Sequence, residues 1–189
     1  MPDIIKDGTG QGYAARVGSS NRLDASVRQN ARIYYASRDN KKAFSVNWAF
    51  AQAVGGVTEG MGYLTYTGEG SLIINEVLLS TEEPTTGLTK FGIWVQPTTL
   101  SGGDAKVPTN MNLSSDLTSE VTSIHDNDGT GVTITGGSSI YTVRLSGPNS
   151  FKVDFASSLI MKNGDTFAIK GNAKTTGTKL RATLLYFEE

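Results

Sequence analysis

His125-Asp126-Asn127-Asp128-Gly129 is the densest group of chemically able side chains in the sequence. Two aspartates two residues apart, followed by glycine, open like a calcium loop, in which carboxylates and carbonyls surround a hard cation. Such a loop needs an acidic residue near its twelfth position, and Gly137 stands there. A tight turn, with the Asx side chains bonding their own backbone, explains the stretch more economically. A weak surface calcium site at Asp126 and Asp128 is the alternative. His125 is the only histidine and there is no cysteine, so no common zinc ligand set can be assembled. Serines abound, but no Gly-x-Ser-x-Gly elbow presents one as a nucleophile. Catalytic, cofactor-binding and metal-binding residues are each expected to be none, and the chain is not expected to be an enzyme.

Other candidates reduce in the same way. Gly8-Thr9-Gly10-Gln11-Gly12 is glycine-dense, yet a phosphate cradle needs a preceding strand, a following helix and a Lys-Ser/Thr pair. Glu82-Glu83 are adjacent, so on a strand end they point apart and do not form an acid/base pair. Arg16, Arg22, Arg28, Arg32 and Arg38 are more informative, because the first forty residues hold these five arginines and no glutamate. Arginine suits bidentate contact with carboxylates at protein interfaces. Nucleic acid would call for a denser basic patch interleaved with aromatics, so none is expected as a partner. Trp48, Trp94 and the tyrosines are able to stack on a sugar, although core packing explains them more simply.

At 189 residues the chain can fill one core and carry an arm. A formal net charge of −1 gives no overall pull toward nucleic acid or an anionic membrane. No apolar run approaches the length of a membrane span. No charged-then-apolar leader opens the chain, so use without export through the general secretion route is expected.

The elements that would hold these residues are short strands. Phe151-Lys152-Val153-Asp154-Phe155 alternates, placing Phe151, Val153 and Phe155 on one face. Leu159-Ile160-Met161 follows. Asn163-Gly164 then predicts a hairpin, with Thr166 to Lys170 as its return strand. Leu180, Ala182, Leu184 and Tyr186 alternate in a final strand that must be paired inside a sheet. Upstream, Ala31 to Ala36 reads as the first true strand. Ala43 to Phe50 reads as a strand in preference to a short helix. Met61 to Thr67, Leu72 to Leu79, Phe91 to Gln96, Val132 to Ile134 and Ile140 to Leu145 complete the set. The Leu72–Leu79 run is apolar enough to be covered on both faces. Ser101 to Ser115 reads as a long loop, and Leu117, Val121 and Ile124 carry a weak helical spacing. The spacing predicts an all-β protein: an antiparallel, jelly-roll-like β-sandwich over 31–189, with an extended N-terminal arm over 1–30. That arm has few large apolar side chains to offset its ordering entropy, so it should be ordered only against another surface.

Lys6-Asp7-Gly8-Thr9-Gly10-Gln11-Gly12-Tyr13-Ala14-Ala15-Arg16-Val17, then Asn21-Arg22-Leu23 and Ser26-Val27, resembles the opening of a group of tailed-phage virion structural proteins. In that group an Asp-Gly-Thr-Gly turn and an Asn-Arg-Leu piece precede a β-sandwich. The resemblance is close over about the first thirty residues and beyond them is a pattern of strands. It implies a capsid decoration, or cement, protein on the virion surface, made in the host cytoplasm. It implies docking on the major capsid protein or neighbouring virion subunits and a homo-oligomer, expected to be a trimer. Asp7, Gly8, Tyr13, Arg16, Asn21, Arg22, Leu23 and Arg28 are the expected interface. A tail- or fibre-associated sandwich binding a host receptor or glycan is the alternative.

Overall fold

The computed structural model describes residues 37, 40–82, 87–127 and 131–189, together with the backbone of three short strands nearer the N-terminus. The chain divides into two units, Met1–Ala31 and Arg32–Glu189. The first holds an antiparallel meander of β1 (Ile4–Lys6), β2 (Ala14–Val17) and β3 (Leu23–Asp24). Arg16 stands opposite Ile4 on one side and Asp24 on the other, and Leu23 stands opposite Val17. The strand expected over Ala31 to Ala36 lies outside the described residues.

The second unit is a β-sandwich. One sheet has β4 (Ala43–Ala51), β16 (Lys179–Glu188), β6 (Leu72–Thr81) and β14 (Ser150–Met161) side by side, with β10 (Thr109–Asn110) on the outer edge of β4. The other runs β13 (Ser138–Ser146), β7 (Leu88–Val95), β15 (Thr166–Asn172), β5 (Glu59–Tyr66), β11 (Val121–His125) and β9 (Asp104–Ala105). Its neighbours, like those of the first sheet, are antiparallel. The orders β4-β16-β6-β14 and β13-β7-β15-β5 are those of a double-sheet jelly roll built from two Greek keys. A separate ribbon pairs β8 (Thr99–Ser101) with β12 (Thr133–Thr135).

Period-two alternation explains the packing. Phe44, Val46, Trp48 and Phe50 of β4, and Leu180, Ala182, Leu184 and Tyr186 of β16, all point into the core. Phe91 and Ile93 of β7 and Phe167 and Ile169 of β15 meet them from the facing sheet. The final strand is central, between β4 and β6, as its sequence requires. β6 is apolar on both faces only at its start, where Leu72, Ile73 and Ile74 are all buried. Further on, Leu78 is exposed while Val77 and Leu79 are buried.

Three expectations are corrected. Asn163-Gly164 does not close a hairpin: it carries the chain from β14 in one sheet to β15 in the other. Asn163 Nδ2 donates to the Thr67 and Gly68 carbonyls, and the Gly164 N–H donates to the Tyr66 carbonyl at 2.8 Å. The turn is thus anchored to the end of β5, and β15 starts alongside β5. The helical spacing of Leu117, Val121 and Ile124 is overridden by pairing, since Val121 to His125 is a strand on β5. The polar stretch Ser101 to Ser115 is stitched to sheet edges by β9 and β10. Phe151 keeps its expected face, opposite the buried Leu79 as Val153 is opposite the buried Val77, but it is 40% exposed there because β14 is the edge strand. Further along, the ladder to β6 is broken by a bulge between Asp154 and Leu159. Ala156 and Ser157 occupy the left-handed region inside that bulge, at φ 47° and 61°.

Candidate functional site

The outer face of the six-stranded sheet carries the most suggestive grouping. Phe91 and Ile93 point inward, so Lys90, Gly92 and Trp94 share the outer face of β7. Register places Asn172 and Arg144 opposite Lys90, Lys170 and Thr142 opposite Gly92, and Ala168 and Ser139 opposite Trp94. Lys90, Gly92, Trp94, Ser139, Thr142, Lys170 and Asn172, with Thr58, border a groove of about 250 Å³, and Arg144 lies beside it on the same face.

Trp94 is half-buried and lies along the sheet, across the position of Gly92. A methyl carbon at Gly92 would come within 2.8 Å of the indole Nε1, so glycine is what leaves room for the ring. The Lys170 ammonium sits over the ring, 4.1 Å from its centre. Burial pushes the Lys170 pKa down from its ordinary value. Asn172 Nδ2 donates to the Gly56 carbonyl at 3.0 Å and to Thr58 Oγ1 at 3.1 Å, fixing one wall. A larger cavity of about 410 Å³ shares Thr58 and Lys170 with the groove and is bordered by Glu59, Asp126, Val132 and Ile134.

The residues singled out in the sequence take other places. Trp48 is fully buried between the sheets, where its Nε1 donates to Ser123 Oγ at 2.8 Å. The core explanation holds in full for Trp48 and in part for Trp94, which is half-buried and packs against the small apolar cluster of Val132, Ile134 and Ala168. His125 is not a turn residue: it ends β11, buried, with Nδ1 3.3 Å from the Ala49 carbonyl. Asp126 is buried, and its Oδ2 accepts the Gly131 N–H at 3.2 Å, which is Asx bonding to local backbone. Asp128 lies outside the described residues. Among the described residues, no group of three or more His, Cys, Asp or Glu is placed to hold a metal ion. Glu82 pairs with Arg181, while Glu83 lies outside the described residues. Of the expected interface, Arg16 and Leu23 fall on β2 and β3, and Asp7, Gly8, Tyr13, Asn21, Arg22 and Arg28 lie outside the described residues.

Sequence reasoning missed Lys90, Lys170, Gly92 and Thr142. The available signal was the Lys90-x-Gly92-x-Trp94 spacing, which puts a cation, a gap and an aromatic on one strand face. Lys170 and Thr142 are distant in sequence and join only through strand register.

A second polar cluster closes the other end of the sandwich. Glu188 is buried and accepts from Ser119 Oγ at 2.6 Å and from the Glu120 N–H at 3.0 Å. Desolvation raises its pKa above the ordinary carboxylate range, against the lowering effect of those hydrogen bonds. Tyr66, buried and facing Glu120, is pushed up to about 12, chiefly by burial.

No family model and no curated protein matches this chain.

Proposed function

We propose that this chain is a non-enzymatic virion structural protein of a tailed phage, a decoration protein that docks on the head through residues 1–30 and stabilises it. The observation that carries the reading is the jelly-roll strand order, an arrangement that recurs in viral capsid domains. It is an argument from fold, joined to the resemblance of the first thirty residues. The division of the chain at Ala31 also supports it, since an arm that packs as its own unit suits attachment to a neighbour. Docking is expected on the major capsid protein or adjacent virion subunits, by a homotrimer on the capsid surface. Heads stripped of accessory protein provide the test. Intact protein should rebind them in many copies, and protein lacking residues 1–30 should not. Equal rebinding by the two proteins sinks the proposal.

Trp94 favours a second reading. An indole on the outer face of a sheet, beside lysines and a groove, suits a tail- or fibre-associated module that attaches to a host receptor or glycan. Copy number separates the two: many copies over the capsid support decoration, and a few at one vertex support attachment.

A further inference from the structure

We propose that the groove between Lys90, Trp94 and Lys170 binds a carboxylate-bearing saccharide, the indole stacking on a sugar ring and the basic side chains holding its carboxylate. The proposal rests on the attachment reading of this groove and adds the ligand's chemical class.

Three observations lead to it. The first is the seat of the indole. The Nε1 edge of Trp94 lies where a side chain at residue 92 would stand, which sets the half-buried indole against the sheet as one border of the groove. Flat aromatic surfaces take the C–H face of a pyranose by apolar contact, leaving the sugar hydroxyls at the rim. Thr58, Thr142 and Asn172 supply polar groups at that rim.

The second is charge. Arg144 is directly opposite Lys90 in the antiparallel register, with both side chains on the outer face. Like charges directly opposite are unfavourable. Lys170 adds a third cation one residue pair along the sheet. Among the described residues, no carboxylate borders the groove or forms an ion pair with any of the three. Such a site is incomplete without an anion.

The third is the position of Lys170. Its ammonium rests on the indole, partly desolvated and with an aromatic face as its counter-partner. A carboxylate is a stronger partner than a ring quadrupole. Its arrival draws the ammonium off the indole and opens that face to the sugar. The groove volume of about 250 Å³ suits one ring and its substituents. A single-stranded nucleic acid would need successive aromatics along a basic track, whereas Trp94 is the one aromatic among the groove's lining residues.

The test is an array of sialylated and uronic-acid oligosaccharides beside their carboxyl-reduced counterparts, with poly-glutamate and oligo-deoxythymidylate as further probes. The full chain should bind carboxylated members and lose at least about tenfold on their reduced forms. Lys90→Gln and Lys170→Gln should each weaken binding about tenfold, and Trp94→Ala more, while Trp94→Phe retains part of it. Thermal unfolding of each variant must match the parent for the comparison to count, and the two exposed-face lysine variants guard against misfolding of Trp94→Ala. Equal binding of carboxylated and reduced members would leave the attachment reading standing and refute the acid preference. No binding to any saccharide would refute the proposal and the glycan form of the attachment reading, leaving attachment to a non-glycan receptor. Binding untouched by the groove variants, or poly-glutamate or oligonucleotide bound as tightly, would also overturn the proposal.

Discussion

The Trp48 indole N–H donates to Ser123 Oγ at 2.8 Å, and this buried bond joins β4 in one sheet to β11 in the other. Both residues are sealed from water, so the bond forms only when the two sheets close. Ser123→Ala would leave the indole N–H buried without a partner. A loss of about 1–3 kcal/mol is expected in denaturant unfolding. A change well below that would mean that the indole finds another acceptor.

Gly92→Ala acts on the groove and spares the core. Its methyl would crowd Trp94 Nε1, and the half-exposed indole is expected to shift outward to relieve the contact. Stability should fall by less than about 1 kcal/mol, while acrylamide quenching of tryptophan emission rises. Trp48 is fully buried, so any added quenching reports on Trp94. Unchanged quenching would show that the indole keeps its seat.

Thr89 sits in the core of β7 with no hydrogen-bond partner for its hydroxyl among the described residues. Thr89→Val keeps the shape and removes the unsatisfied group. It should stabilise the protein by about 1 kcal/mol, visible as a higher urea midpoint at an unchanged m-value. A destabilised variant would reveal a role for the hydroxyl.

Glu188 makes stability depend on pH with a definite sign. Burial raises its folded-state pKa, so the folded protein holds its proton more tightly than the unfolded chain does. Stability is then favoured below the unfolded carboxylate value and declines as pH rises toward the raised folded value. Lys42 and the hydrogen bonds from Ser119 and Glu120 oppose the shift, and the Glu120 charge adds to it. Glu188→Gln should flatten that decline, measured as unfolding free energy between about pH 4 and 7. An unaltered slope would assign the pH dependence elsewhere. Tyr66 acts in the same direction at alkaline pH, with stability lost from about pH 10 upward as the unfolded chain releases a proton the folded one keeps.

The strands that face the core announced themselves. Phe44-Val46-Trp48-Phe50 and Leu180-Ala182-Leu184-Tyr186 alternate because one side of each strand must be apolar, and both are strands. Pairing between sheets was not legible, because Asn163-Gly164 has the same local chemistry whether it closes a hairpin or crosses the sandwich. Phe167 and Ile169 fill the core equally well in either sheet, and the anchoring to Tyr66 and Thr67 decides. The groove was hidden for a related reason. Outer-face residues obey no hydrophobic rule, and Lys90, Lys170 and Arg144 become neighbours only through register.

The bulge in β14 has a consequence for polymerisation. β14 ends its sheet, and a straight edge strand offers a row of unpaired backbone groups onto which another chain can add. Here the ladder to β6 breaks between Asp154 and Leu159, and two consecutive residues turn into the left-handed region. Lys152 and Asp154 put charge on the first half of the edge. An incoming strand would find two short, offset runs in place of one long template. Fibre growth along this edge is therefore blocked by the edge strand's own backbone, at the local cost of two strained residues.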